Sequence, residues 1–266
     1  MTDRLPRIAF VGDIHGRWLS VLDRLLEMRP DAAILVGDLH GDAPDGADMR
    51  DGRAKPLRDL LWPLEEAGIP VRWIPGNHDG DREHLLDATV GDAVYGPFNF
   101  HGRVEEISGL RLAGIGGVFR GQVWFPHAGA PDPAPAAFES RSLHLAHYAR
   151  HQRWRGGLPL VHRTTIYPED FQALAGQRAD VLVTHEGPGA MSYEGRNGRL
   201  VQGFPVIDRL ARDMAARLVV HGHHHIAYGM EADGIMVAGL GLAEVVLLED
   251  LLIRCRRGVP PVYRPY

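Results

Sequence analysis

Five short segments of this chain carry residues able to bind metal ions: Gly12-Asp13-Ile14-His15-Gly16, Gly37-Asp38, Gly76-Asn77-His78-Asp79, Val183-Thr184-His185 and His221-Gly222-His223-His224-His225. Side chains at i and i+2 of an extended segment point the same way, so Asp13 and His15 could hold one ion together. An Asp at a strand end followed by a His also suits the cap of a helix. Asp38 adds a carboxylate that could bridge two ions, as dinuclear hydrolytic sites commonly require. Asn77 offers an amide oxygen and His78 an imidazole. In the last segment alternation puts His223 and His225 on one side and His224 on the other, so the first pair is the one expected to bind metal. A histidine tract can also bind metal adventitiously. His221 reads as a strand-end histidine facing the core.

These residues need elements to bring them together. Ile8–Val11, Ala33–Val36 and Val71–Ile74 are short, Val- and Ile-rich runs that suit strands buried on both faces. Between the first two, the apolar residues from Trp18 to Met28 fall on one face of an amphipathic helix, and Pro30 follows its end. A second helix is expected from Pro56 to Ala67, with Gly68 at its C-terminal side. Strand, helix, strand, helix, strand predicts a parallel sheet with right-handed crossovers, its polar ligands gathered beyond the carboxyl ends of the strands. Later strands are expected at 103–107, 110–115, 180–184, 217–221, 226–230, 235–238, 243–248 and 251–255. Their close spacing after 217 predicts an antiparallel meander, with a helix at about 204–216 before it.

The stretch 119–170 breaks this rhythm. Its proline-rich part predicts a loop, followed by a helix from Ala136 to about Arg153 and then Gly156-Gly157. It reads as an insertion, cap-like, reaching toward the site within a single domain spanning 1–266.

With these five blocks in this order, the sequence resembles the calcineurin-like metallophosphoesterase superfamily. The resemblance implies a four-layer α/β/β/α sandwich and two divalent ions. One would be held by Asp13, His15, Asp38 and His225, the other by Asp38, Asn77, His185 and His223. Such N and O donors suit Mn, Fe, Zn, Co or Ni rather than calcium, with Mn2+ placed first and Mg2+ also considered. The implied reaction is hydrolysis of a phosphate mono- or diester by a hydroxide bridging the ions. On the family pattern His78 faces the substrate and serves the leaving oxygen, with Asp79 or Asp42 as the carboxylate that fixes its tautomer.

The first block is like that of phosphoprotein phosphatases and dinucleoside polyphosphate hydrolases. However, the Asp-Arg pair of the second block and the Arg before Gly-Asn-His are absent here, where Asp38-Leu39 and Ile74-Pro75 stand. Two expected phosphate clamps are missing. Arg120 and Arg163 are the candidate substitutes, since guanidinium forks suit phosphate oxygens. Trp124, Trp154 and Tyr193 could stack on a base or simply pack. A small phosphodiester or nucleotide is therefore the expected substrate, with phosphoprotein and dinucleoside polyphosphate activity as alternatives. A non-catalytic scaffold on the same fold is disfavoured because every expected ligand is present.

The remaining composition narrows the setting. Among 266 residues no apolar run reaches the ~20 residues a spanning helix needs. The N-terminus lacks a secretion signal, and the single cysteine, Cys255, lies in an apolar stretch, so a cytoplasmic enzyme is expected. A net charge of −5 gives no global attraction for polyanions, which argues against general nucleic-acid binding.

Overall fold

A computed structural model describes residues 5–41, 49–50, 53–195 and 197–262. The chain opens with β1 (Ile8–Val11), α1 (Trp18–Met28), β2 (Ala32–Leu35), the small hairpin β3 (Met49–Arg50) and β4 (Arg53–Ala54), α2 (Leu57–Glu66), β5 (Val71–Trp73) and α3 (Glu83–Ala88). Next come β6 (Val104–Ile107), β7 (Leu110–Ile115), α4 (Arg141–His147), α5 (Pro168–Leu174) and β8 (Val181–Thr184). A second hairpin, β9 (Ser192–Glu194) and β10 (Leu200–Gln202), precedes α6 (Pro205–Asp213) and β11 (Leu218–His221). The chain then runs through β12 (Tyr228–Ala232), β13 (Ile235–Gly239), β14 (Val245–Leu247) and α7 (Leu248–Arg257).

Two sheets form, in the orders β14-β1-β2-β5 and β12-β13-β11-β8-β7-β6. Alternation along the strands decides what each face buries. Ile8, Phe10, Ile34 and Val36 of the first sheet meet Leu112, Val181, Val183, Leu218 and Val220 of the second in a central apolar seam. Ala9, Val11, Ala33 and Leu35 point the other way, onto Trp18, Val21 and Leu25 of α1 and Leu57, Leu61 and Leu64 of α2. The outer face of the second sheet, through Ala113, Ile115, Leu182 and Val219, packs on Leu174 of α5 and Ile207, Leu210 and Ala211 of α6. These three seams make the four-layer α/β/β/α sandwich. Phe10, fully buried in the central seam, would cost about 3–5 kcal/mol if cut to Ala.

Several expectations are corrected. Residues 251–255 are not a strand but the middle of α7, where Leu248, Leu251, Leu252 and Cys255 follow the i, i+3, i+4, i+7 helical spacing. Glu249 and Asp250 in its first turn, Arg254, Arg256 and Arg257 in its last, and Gly258 at φ 64° mark its ends. There is no meander after 217: β12 and β13 form a hairpin, but β13 runs parallel to β11, and β14 leaves to pair antiparallel with β1. The helix expected from Ala136 to Arg153 is only α4. Ala136 instead bridges Trp124, which holds that stretch extended, and Ser140 starts the helix by accepting from Leu143 N at 3.2 Å. Within 119–170, Phe119, Trp124, Leu158 and Tyr167 join the outer seam.

β1, β2 and β5 are mutually parallel, as are β7, β8, β11 and β13. Their carboxyl ends meet at one edge of the sandwich, and the five blocks lie there.

Candidate metal centre and catalytic cleft

Backbone bonds bring the first two loops together: His15 N donates to Asp38 O at 2.8 Å and Gly16 N to Leu39 O at 3.2 Å. His15, Asp38, His223 and His225 all take positive φ, between 44° and 67°. The ligand side chains therefore converge through left-handed kinks and not through the i, i+2 alternation of a strand. The carboxylates approach the backbone so closely that glycine is required beside them. A methyl group at Gly76 would overlap the Asp38 carboxylate, and one at Gly222 would lie 2.6 Å from Asp13 Oδ2.

All seven residues expected to hold metal gather into two groups that share Asp38. In the first, His15 Nε2 lies 3.0 Å from His225 Nε2 and 3.6 Å from Asp38 Oδ2, while His225 Nε2 lies 3.7 Å from Asp13 Oδ1. In the second, His185 Nε2 lies 3.4 Å from Asp38 Oδ2, and Asn77 Oδ1 stands 3.2 Å from His185 Nε2 and 2.9 Å from His223 Nδ1. The Asp and His donor atoms of each group lie within 4.8 Å of one another. Asp13 is further fixed by His223 N, which donates to both its oxygens at 2.8 and 3.0 Å. His185 Nδ1 donates to Val36 O at 2.8 Å, so its Nε2 faces the group.

The electrostatics suit cations. Burial pushes the Asp13 carboxyl up to about 7, against the pull of His185. Burial would raise Asp38 as well, but the charge and hydrogen bond of His185, with His15 and His78, hold it well below the usual carboxylate range. Burial disfavours the His185 imidazolium, yet Asp38 and Asp13 push it up to about 10. Burial depresses His15, His223 and His225, the last to about 4. Without ions, then, the His185 imidazolium offsets the Asp38 carboxylate, Asp13 is held partly protonated near neutral pH, and three neutral imidazoles stand ready as donors. The donor set fits divalent ions of the Mn to Zn series.

His78 lies beside this cluster. Its backbone N donates to Asp38 Oδ1 at 2.8 Å, and its ring Nδ1 lies 2.6 Å from Asp81 Oδ2. Asp79 is not its partner. That carboxylate is fully buried and accepts from Asp38 N at 3.0 Å, Leu39 N at 2.9 Å and Gly76 N at 2.8 Å, stapling the second and third loops together. Burial and the nearby Asp38 charge push Asp79 up to about 6 despite these amides. Asp42 lies outside the described residues.

The two candidate substrate arginines, Arg120 and Arg163, lie outside the lining of the catalytic cleft. Arg163 donates to Leu158 O and Trp154 O, both at 3.1 Å, and lies over the Trp154 ring. Arg120 is turned inward beside Glu186 and His162, with its Nε buried. Neither lines the cleft. A cleft of about 410 Å³ is lined instead by His15, Arg17, His78, Asp81, Arg82 and His225, among others. Trp124 packs in an aromatic cluster with Phe119 and Phe171, and Tyr193 OH bonds His224 Nδ1 at 3.1 Å. His224 joins neither ligand group and lies against Tyr193 instead. His221 is buried with Nε2 2.7 Å from Tyr228 OH.

Sequence reading missed two residues. Asp81 is hidden behind the nearer Asp79, though i, i+3 is the spacing that a tight helical turn brings together. Glu186, next to His185, is buried, accepts from Phe119 N at 3.2 Å and places Oε2 3.9 Å from His223 Nε2. Burial pushes it up to about 7.

The pattern of the calcineurin-like phosphoesterase family matches residues 6–227, and the chain belongs to that family. It is a metal-dependent phosphoesterase with a cluster of Asp and His able to hold metal. An uncharacterised protein of Haemophilus influenzae is 36% identical over 219 residues, 82% of this chain and 83% of its own length. The TT1561 structure from Thermus thermophilus shares the fold, with a TM-score of 0.53 and 17% identity over 94% of this chain and 96% of that one. A dimetal phosphatase from Danio rerio matches at a TM-score of 0.47 with 14% identity, over 90% and 89% of the two chains. No helix among the described residues is long and apolar enough to cross a membrane.

Proposed function

We propose that this chain hydrolyses a small phosphate ester, with a phosphodiester favoured, at a pair of divalent ions, Mn2+ first among them. One ion would be held by Asp13, His15, Asp38 and His225, the other by Asp38, Asn77, His185 and His223. When bound, such ions supply an acidified water as nucleophile and positive charge for the phosphoryl oxygens.

The observation that carries the reading is the cleft in which the His78–Asp81 pair, Arg17 and Arg82 open onto the ligand cluster. Asp81 holds His78 Nδ1, which leaves Nε2 as the atom that carries a proton to the leaving oxygen. Arg17 and Arg82 supply guanidinium charge where the arginines of phosphoprotein phosphatases are missing. A volume of about 410 Å³ suits a small molecule. With Trp124 and Tyr193 engaged elsewhere, no indole or phenol ring lines the cleft among the described residues, which favours a small diester over a nucleotide held by base stacking. A reducing cytoplasm suits the buried thiol of Cys255.

The experiment strips the protein of metal and resupplies Mn, Fe, Zn, Co, Ni or Mg. Each form is assayed on bis-p-nitrophenyl phosphate, cyclic nucleotides, a dinucleoside polyphosphate and a phosphopeptide. The expected result is metal-dependent hydrolysis with the small diester preferred. Inactivity of folded protein with every metal and substrate overturns the reading, and preference for the phosphopeptide overturns the substrate class.

A further inference from the structure

A second cavity lies away from the catalytic cleft. It measures about 540 Å³ and lies at the opposite edge of the sandwich, where the parallel strands of the second sheet begin. Leu110, Val181 and Leu218 stand at the first positions of β7, β8 and β11 and form part of its floor, with Met236 at the start of β13 and Leu252 on the flank of α7. The same strands carry His185 and the His221–His225 block beyond their other ends, so the two cavities are separated by the full length of the sheet. At roughly 3.3 Å per residue, four-residue strands put them more than about 10 Å apart.

The mouth of this cavity is cationic. Arg111 is engaged by Asp180, which accepts from its backbone N at 2.8 Å and pairs with its guanidinium at 3.3 Å. Arg178, Arg217 and Arg256 also line the mouth; the Arg217 charge acts on Asp180 as well, and Arg178 and Arg256 make no side-chain ion pair among the described residues. They come from three different elements: the turn before β8, the start of β11 and the last turn of α7. Asp180 is the single carboxylate in the lining among the described residues, and it is already paired with Arg111. A chain with a net charge of −5 has thus gathered four arginines around one apolar hollow.

An apolar floor beneath a ring of guanidinium forks matches one kind of molecule. The floor gains from covering hydrocarbon, and the forks accept a planar or tetrahedral anion at the end of it. A bare anion would leave the floor wet, and a neutral hydrocarbon would leave the arginines uncompensated. We propose that this cavity is a second ligand site, distinct from the metal centre, for an amphiphilic anion: an aliphatic chain lying on Leu110, Val181, Leu218 and Met236 with its carboxylate or phosphate head between Arg178, Arg217 and Arg256. The volume falls within the range of small-molecule sites, about 300–1,000 Å³.

The test uses full-length, metal-loaded protein and dodecanoate below its micellar concentration, measured by isothermal titration calorimetry, with hydrolysis of bis-p-nitrophenyl phosphate followed alongside to show that the catalytic cleft stays free. The expected result is saturable binding at one site, weakened by about tenfold or more in the double variant R178E/R256E, while hydrolysis of bis-p-nitrophenyl phosphate stays at the wild-type rate. Leu252→Trp, which fills the hollow from α7, should likewise abolish binding and leave hydrolysis intact. Dodecanol tests the head group, and inorganic phosphate alone tests the floor. Dodecanol binding as tightly as dodecanoate, phosphate alone binding at this site as tightly, no saturable binding, or binding unchanged in R178E/R256E would each overturn the proposal. So would concentration-dependent dimerisation that dodecanoate fails to displace, which would make a second copy of the chain the occupant. Because binding is read directly, failure here leaves the phosphoesterase reading standing, and loss of hydrolysis leaves this site standing.

Discussion

His78 Nδ1 and Asp81 Oδ2 lie 2.6 Å apart, on the same side of one tight turn that starts just after Asn77. The pairing fixes which ring nitrogen faces the cleft. Asp81→Asn is expected to lower kcat on bis-p-nitrophenyl phosphate by about ten- to a hundredfold, and His78→Ala by about a hundredfold or more. Metal content, read by plasma mass spectrometry, should be unchanged in both. An Asp81→Asn enzyme as fast as wild type would remove this role.

Asp79 should behave differently, because it holds backbone and not His78. Asp79→Ala leaves three buried amides without an acceptor and is expected to destabilise the fold by about 3 kcal/mol in urea denaturation. Metal should be lost together with stability. Full stability with only a slowed reaction would contradict the staple.

Metal affinity is expected to rise with pH. In the metal-free protein His185 is pushed up to about 10, yet it binds an ion only as the neutral ring, so uptake at pH 7–9 releases its proton. Affinity should increase by about tenfold per pH unit in that range. Below about 7 the slope should steepen, since Asp13 is pushed up to about 7 and releases a second proton. Stability of the metal-free form has the opposite sign: the contribution of a raised His185 is full below its unfolded value near 6.5 and is lost as pH climbs toward 10. Competition with a chromophoric chelator from pH 6 to 9 checks the first, and melting of stripped protein checks the second. A flat affinity profile would refute the proton release.

Glu186 Oε2 lies 3.9 Å from His223 Nε2, while the other ring nitrogen, Nδ1, lies 2.9 Å from Asn77 Oδ1 in the second group. Glu186→Gln is expected to weaken retention of the second ion by about ten- to a hundredfold, while the first ion stays. Chelator titration showing both ions held as in wild type would leave Glu186 with no part in positioning.

Much of this centre was legible in sequence because its residue types are chemically distinctive and each follows a short apolar run. The strands announced where the ligands must gather. What sequence hid was conformation at single residues. Extended alternation was the wrong reason for pairing Asp13 with His15, which converge because His15 turns left-handed. Asp79 and Asp42 were the candidate partners of His78, but a tight turn brings Asp81 to it instead. Arg120 and Arg163 carry the right charge, yet one turns toward a buried glutamate and the other toward carbonyls and an indole, choices made by packing that spacing does not encode. The helix at 248–257 could have been found, since its capping charges and Gly258 were present.

Four residues of the proposed metal sites, His15, Asp38, His223 and His225, hold a backbone shape that costs side-chain-bearing residues about 1–3 kcal/mol each. Heat tolerance and chemistry therefore select against each other at these positions. Asparagine adopts this shape more readily than histidine, so His223→Asn should raise the melting temperature of the stripped protein while costing it an ion. A stripped His223→Asn protein that melts no higher than wild type would show that this kink is held without strain.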